Sequence, residues 1–181
     1  MSEAAPAWAY ERPEVRPHDP RWIVRAEAEC SRLSGLLATW VVDGVEHVGS
    51  TAVPGLAAKP IVDLMVSVTD LDAVVAQASE LLEADGWAYV RPELDGRPWR
   101  RFFVKPDASG QRREAHLHLI LAGHPRWTDQ IRFRDALRNN ARLAQAYEDL
   151  KRRLAAENGN DREAYTEGKA AFVASVLAET A

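Results

Sequence analysis

The chain has 181 residues, 46% hydrophobic and 28% charged, which suits one globular domain large enough to bury a core. A formal net charge of −4 supplies no basic field of the kind general nucleic-acid binding needs. One cysteine, Cys30, excludes an internal disulfide and suits a reducing compartment; no apolar run reaches membrane-spanning length and the N-terminus lacks a basic-then-apolar signal, so a cytoplasmic protein is expected.

Residues 1–19 carry three of the ten prolines and no hydrophobic period, and are read as an extended, partly disordered arm preceding a single domain over 20–181. Trp22, Ile23, Ala26, Cys30, Leu33, Leu36 and Leu37 recur at three-four spacing and predict an amphipathic helix to about Ala38, opened by Asp19-Pro20. A first strand is expected over Val41 to Val48, interrupted at Asp43-Gly44, and a central one over the apolar run Ile61 to Val68. Thr69 or Asp70 caps a helix over Leu71 to Ala84, and Gly86 stops it. A strand begins at Trp87, and Arg91 to Pro98, with two prolines and a glycine, reads as a loop. Trp99 to Lys105 and Glu114 to Leu121 form a hairpin about Pro106 to Gly110. Helices follow over about Pro125 to Asn139 and Ala141 to Glu157, and a last helix is expected after an Asp161 cap. The sum is an α/β (α+β) domain: a mixed, mostly antiparallel sheet of about five strands with packed helices.

Between the first two strands lies His47-Val48-Gly49-Ser50-Thr51-Ala52-Val53-Pro54-Gly55-Leu56-Ala57-Ala58-Lys59-Pro60-Ile61-Val62-Asp63. Gly49 allows a sharp turn and close approach of a ligand. Ser50 and Thr51 offer hydroxyls and N–H groups at a helix start, where phosphate is well placed. An ordinary Ser/Thr cap explains the Gly-Ser pair alone equally well. Asp63 follows on the strand, where it would hold a cation beside that phosphate. On the hairpin, His116 and His118 share one face, while Ala115, Leu117, Leu119 and Leu121 form a wholly apolar opposite face.

This run resembles the signature of the GrpB family, assigned to the nucleotidyltransferase superfamily with its polymerase-beta-like fold. His116-Leu117-His118-Leu119, Phe133-Arg134-Asp135, and Asp161-Arg162-Glu163-Ala164-Tyr165 with Lys169 and Phe172 resemble further family segments, so the likeness spans about Pro17 to Leu177. It implies the fold and a nucleotide site at Gly49, Ser50 and Thr51, with Arg132, Arg134, Lys151 and Lys169 on the rim of the same cleft. Some relatives are fused to dephospho-CoA kinase; this chain has no Gly-x-x-x-x-Gly-Lys-Ser/Thr loop. Superfamily transferases carry two acidic residues one apart on the strand after the turn. Here the second position is Met65, a poor ligand for Mg²⁺.

Three readings follow. The first is a nucleotidyltransferase-like enzyme that binds a nucleoside triphosphate, with Asp63 catalytic and a divalent metal (Mg, Mn or Zn) held by Asp63, His116 and His118. The histidines would replace missing carboxylates and suit Zn²⁺ or Mn²⁺ better than Mg²⁺. The second is a non-catalytic domain binding a nucleotide or phosphorylated metabolite. The third is a metal-dependent hydrolase or oxygenase at the same three residues. A metal-free alternative has the histidines hydrogen-bonding Asp63 or phosphate. Lys59, Arg101, Lys105 and Arg134 are the candidate phosphate-binding cations, each weighed against a surface role. No nucleophile elbow surrounds Ser50, and nothing near Cys30 suggests thiolate activation.

Overall fold

The computed structural model describes residues 5–11, 14–158 and 162–179. Helix α1 (Arg21–Leu36) leads into β1 (Val41–Val48), a short 3₁₀ turn (Ser50–Ala52) and β2 (Val62–Val68). Then come α2 (Leu71–Ala84), β3 (Ala88–Val90), α3 (Pro92–Asp95), β4 (Arg100–Pro106) and β5 (Arg113–Leu121). Helices α4 (Pro125–Asn139), α5 (Ala141–Asn158), α6 (Arg162–Glu167) and α7 (Ala170–Glu179) complete the chain.

The five strands form one sheet in the order β1-β2-β5-β4-β3. Among the described residues only the β2/β5 pair is parallel. The expected mixed, mostly antiparallel sheet is therefore present. The parallel pair sets Asp63 beside His116 and Met65 beside His118. Alternation then divides β2 cleanly: Val62, Leu64, Val66 and Val68 enter the main core with Leu117 and Leu119 of β5, beneath α1 and α2. Asp63 and Met65 lie on the other face.

That other face carries a smaller cluster, Val48, Met65 and Ile120, closed by Trp99, Trp127 and Ile131. A third cluster joins the C-terminal helices to the turn after β1, through Val53, Leu56, Phe133, Leu137, Tyr147 and Val176.

Two elements differ from expectation. The loop over 91–98 contains α3, with Pro92 in its first turn and Gly96 in the left-handed region (φ 66°) at its end. Both are regular helix boundary signals; four residues are too few to show a period. The last helix is broken into α6 and α7 around Gly168 and Lys169, and the expected Asp161 cap lies outside the described residues. The described part of the N-terminal arm is tied down. Arg16 exchanges backbone hydrogen bonds with Ala58, and Arg113 donates from its backbone N–H and Nε to Glu11.

Candidate functional site

Asp63 stands at the start of β2 with 32% of its side chain accessible. His116 Nδ1 lies 3.0 Å and His118 Nε2 3.4 Å from the same oxygen, Oδ1. Its other oxygen, Oδ2, faces Gly49. Gly49 has φ 73°, and a Cβ on it would lie 2.7 Å from Oδ2. Glycine is thus required twice, for the backbone conformation and for the space. Burial opposes ionisation of Asp63, but the hydrogen bonds from His116 and His118 outweigh it and hold the carboxyl below its usual range. Burial, the largest influence on His118, pulls its pKa down to about 4 despite Asp63, so the ring is neutral at pH 7.

Ligand atoms of Asp63, His116 and His118 lie within 4.8 Å of one another, close enough to share one ion. One carboxylate and two imidazoles make a donor set that fits a borderline divalent cation better than Mg²⁺. The position of the missing second acidic residue is filled. Met65 is 1% exposed, and the aromatic cluster closes over it.

The Gly-Ser turn is held by α5. Lys151 Nζ donates to Ser50 Oγ (3.1 Å) and to the Ala57 carbonyl (2.5 Å), while Glu148 accepts from the Ala57 N–H at 2.9 Å. Lys151 is 3% exposed, and both of its acceptors are neutral. Burial lowers its pKa to about 8. Lys59 and Lys169 both lie on the ring of Tyr165, at 4.4 and 4.5 Å from its centroid. Burial and then the charge of Lys59 lower Lys169 to about 8, partly offset by Asp63. Lys59 and Lys151 are thus each within electrostatic reach of Lys169, which in turn feels the charge of Asp63.

Other expected residues take different places. The Thr51 hydroxyl is buried, donates to the Ile61 carbonyl (3.3 Å) and accepts from His47 Nε2 (3.0 Å), so it braces the turn. Arg134 is engaged in packing α4 against β1. It donates to Glu46 (2.6 Å), the His47 carbonyl (3.0 Å) and Asp135 (2.8 Å). Arg132 donates to the Leu177 carbonyl. Arg101 and Lys105 pair with Leu119 and Ala115, which places them on the far face of the sheet from the histidines. There Arg101 meets Asp72, and Lys105 meets Glu29 and Asp85. The structure does not bring Arg101, Lys105 or the Arg134 guanidinium to Asp63.

Of the two adjacent arginines of β4, Arg100 is the one on the histidine face. Its Nη1 donates to His118 Nδ1, and its Nε and Nη2 donate to Asp95 at 2.8 and 2.5 Å. Arg100 lies on the opposite parity of β4 from Arg101, the residue that the sequence offers as a phosphate-binding candidate. The register of the hairpin sets which parity of β4 meets the histidines, and no residue pattern in the strand itself specifies it.

The chain matches the GrpB protein family over residues 12–179. A UPF0157 protein of Pseudomonas aeruginosa is 40% identical over 172 residues, covering 92% of this chain and 67% of the relative. The UPF0157 protein YqkA of Bacillus subtilis is 32% identical over 156 residues, 86% of this chain; the match spans only 43% of that longer relative. Among solved structures, GrpB from Enterococcus faecalis superposes with a TM-score of 0.76 at 31% identity, covering 92% of this chain and 96% of that one. The Cid1 poly(U) polymerase, in its Mg 3'-dATP-bound form, superposes with a TM-score of 0.58 at 14% identity, covering 85% of this chain and 49% of the polymerase. At that identity the likeness concerns the fold, which is nucleotidyltransferase-like. No helix among the described residues is long and apolar enough to cross a membrane. By sequence and by structure, this chain belongs to the GrpB family.

Proposed function

We propose that this protein binds a nucleoside triphosphate or a comparable phosphorylated ligand beside the Gly49-Ser50 turn, with one divalent cation at Asp63, His116 and His118, and that it does not perform two-metal nucleotidyl transfer. The observation that carries the reading is Lys151: a buried ammonium whose hydrogen bonds, among the described residues, go to neutral oxygens on the turn that faces Asp63, with burial only partly offset by the charge of Glu148. A buried cation of this kind calls for an anion. Lys59 and Lys169 extend the positive charge, and Gly49 keeps backbone and carboxylate close together. The bound cation would offset charge between Asp63 and the ligand's phosphates; Lys151 and Ser50 would orient those phosphates, and the histidines would ligate the cation together with Asp63. Met65 argues against transfer, because the second acidic position is packed with apolar side chains and offers no ligand for Mg²⁺. The nucleotide-bound polymerase with the related fold supports a nucleotide as the first ligand to try.

A thermal-shift series tests this. Metal-free protein is heated with Mg²⁺, Mn²⁺ or Zn²⁺, each alone and with ATP, GTP, CTP, UTP or tripolyphosphate. A ligand bound only by the folded state raises the melting temperature. A rise that needs cation and phosphate together, and is lost in Asp63→Asn and Lys151→Met, is expected, with no pyrophosphate released. No rise with any phosphate compound would overturn the reading; pyrophosphate release would overturn the exclusion of transfer.

A further inference from the structure

The cation site proposed above needs a lone pair on His118 Nε2. The hydrogen bond on the other side of that ring decides whether one exists. A guanidinium carries only donors. Because Arg100 Nη1 donates to His118 Nδ1, the Nδ1 lone pair points at Arg100. The single proton of the neutral ring is then on Nε2, where it faces Asp63 Oδ1. Nε2 in this tautomer has nothing to offer a cation. Ligation through Nε2 leaves the ring proton on Nδ1, aimed at an N–H of Arg100. Metal-ligating histidines show the opposite arrangement, with the second nitrogen donating to a carboxylate, carbonyl or water.

Arg100 does not rest there loosely. Its residue is 8% exposed, it is bonded twice to Asp95, and its guanidinium lies 4.1 Å from the centroid of Phe102 and 5.2 Å from that of Trp99. Asp95 closes the short helix α3. His116 is under no such lock, since its Nε2 is buried without a hydrogen-bond partner.

We infer that Arg100, held by Asp95, is a positioning residue that competes with the cation for His118: docked Arg100 keeps His118 as a proton donor to Asp63, and a cation enters the full three-residue site only when Arg100 withdraws. The inference rests on the cation reading above. It adds that the site has two exclusive states, one hydrogen-bonded and one cation-loaded, and that the α3 segment sets the balance between them.

Two measurements on the full chain test it. Long-range ¹H–¹⁵N spectra of the metal-free protein report the tautomer of each histidine. His118 is expected as Nε2–H in the wild type and as Nδ1–H in Arg100→Gln, whose side-chain oxygen can accept from Nδ1. Calorimetric titration with Mn²⁺ and with Zn²⁺ is expected to show 10–100-fold tighter binding in Arg100→Gln, the range over which such outer partners act. Asp95→Asn, which keeps Arg100 but loosens it, should gain affinity in the same direction and guards against a misfolded Arg100 variant. His118→Ala, introduced into the wild type and into Arg100→Gln, should abolish the difference between the two. An Nδ1–H tautomer in the wild type overturns the inference. So does equal cation affinity in wild type and Arg100→Gln, which leaves the cation reading standing. Absence of cation binding in every variant overturns the cation reading itself, and the competition with it.

Discussion

The Asp63 carboxylate occupies the space that a side chain at Gly49 would need: a Cβ there would sit 2.7 Å from Oδ2. Gly49→Ala should therefore fail on two counts. The left-handed backbone costs roughly 1–3 kcal/mol, and the methyl group forces the carboxylate away from the turn. Gly44 provides the control. Its φ is 116°, but no atom lies within 4 Å of the added Cβ. Urea denaturation should show both variants destabilised, while ligand-induced thermal stabilisation should vanish only in Gly49→Ala. Equal ligand response in the two would show that the spacing does not matter.

Met65 invites a direct test of what the second acidic position can do. Met65→Asp restores the superfamily spacing but inserts a carboxylate under Val48, Ile120, Trp99, Trp127 and Ile131. Lost packing and an uncompensated polar group should cost about 3 kcal/mol or more. The expected result is a marginally stable protein with no gain in Mg²⁺ affinity, read by denaturation and by calorimetry. A stable variant with stronger Mg²⁺ binding would mean the aromatic cluster yields easily.

Three arginine-centred ion pairs with different settings should separate by stability. Arg134, 9% exposed in its side chain, clamps α4 to Glu46 and the His47 carbonyl. Arg134→Met strands partly buried acceptors and should cost about 2–3 kcal/mol. Arg101 meets an Asp72 side chain that is 81% exposed, so Arg101→Ala should cost less than about 1 kcal/mol. Arg21 and Asp19 form an exposed pair, and Arg21→Ala should leave the midpoint essentially unmoved. Chemical denaturation midpoints give all three. A large loss in Arg101→Ala would contradict the exposed setting of its partner.

The fold was legible because its signals are periodic. The parity of Val62, Leu64 and Val66 against Asp63 and Met65 is visible in the sequence, as is that of His116 and His118 against Leu117 and Leu119. Those two alternations, once the strands pair in parallel, bring the carboxylate and both histidines together. What sequence could not supply was register across the hairpin. One residue of slip exchanges Arg100 for Arg101, and with it the arginine that touches His118. Nor could it show that Lys151, about a hundred positions from Ser50, would lie buried against the turn. Lone charges on amphipathic helices look alike whether they face solvent or a ligand, and tertiary packing alone distinguishes Lys151 from Arg152, which pairs with Glu148 at the surface.

Lys151 also makes the site sensitive to pH in two opposing ways. Burial sets its pKa at about 8 in the folded protein, against about 10.4 for an unfolded lysine. Above pH 8 the folded state has released this proton while the unfolded chain still holds it. Stability from this group therefore rises with pH over that interval and is lower below it. Anion binding runs the other way, since the charged ammonium prevails only below pH 8. Comparing wild type with Lys151→Met isolates the group, because Lys169, Cys30 and the tyrosines are common to both. Between pH 7 and about 9.5, a range that ends below the ordinary lysine value, the melting temperature of the ligand-free wild type should climb relative to the variant. Over the same range the stabilisation by tripolyphosphate should shrink in the wild type, and Lys151→Met should show little at any pH. A wild-type phosphate response that stays constant through pH 9 would mean that the ammonium on Ser50 holds the turn and takes no part in binding the anion.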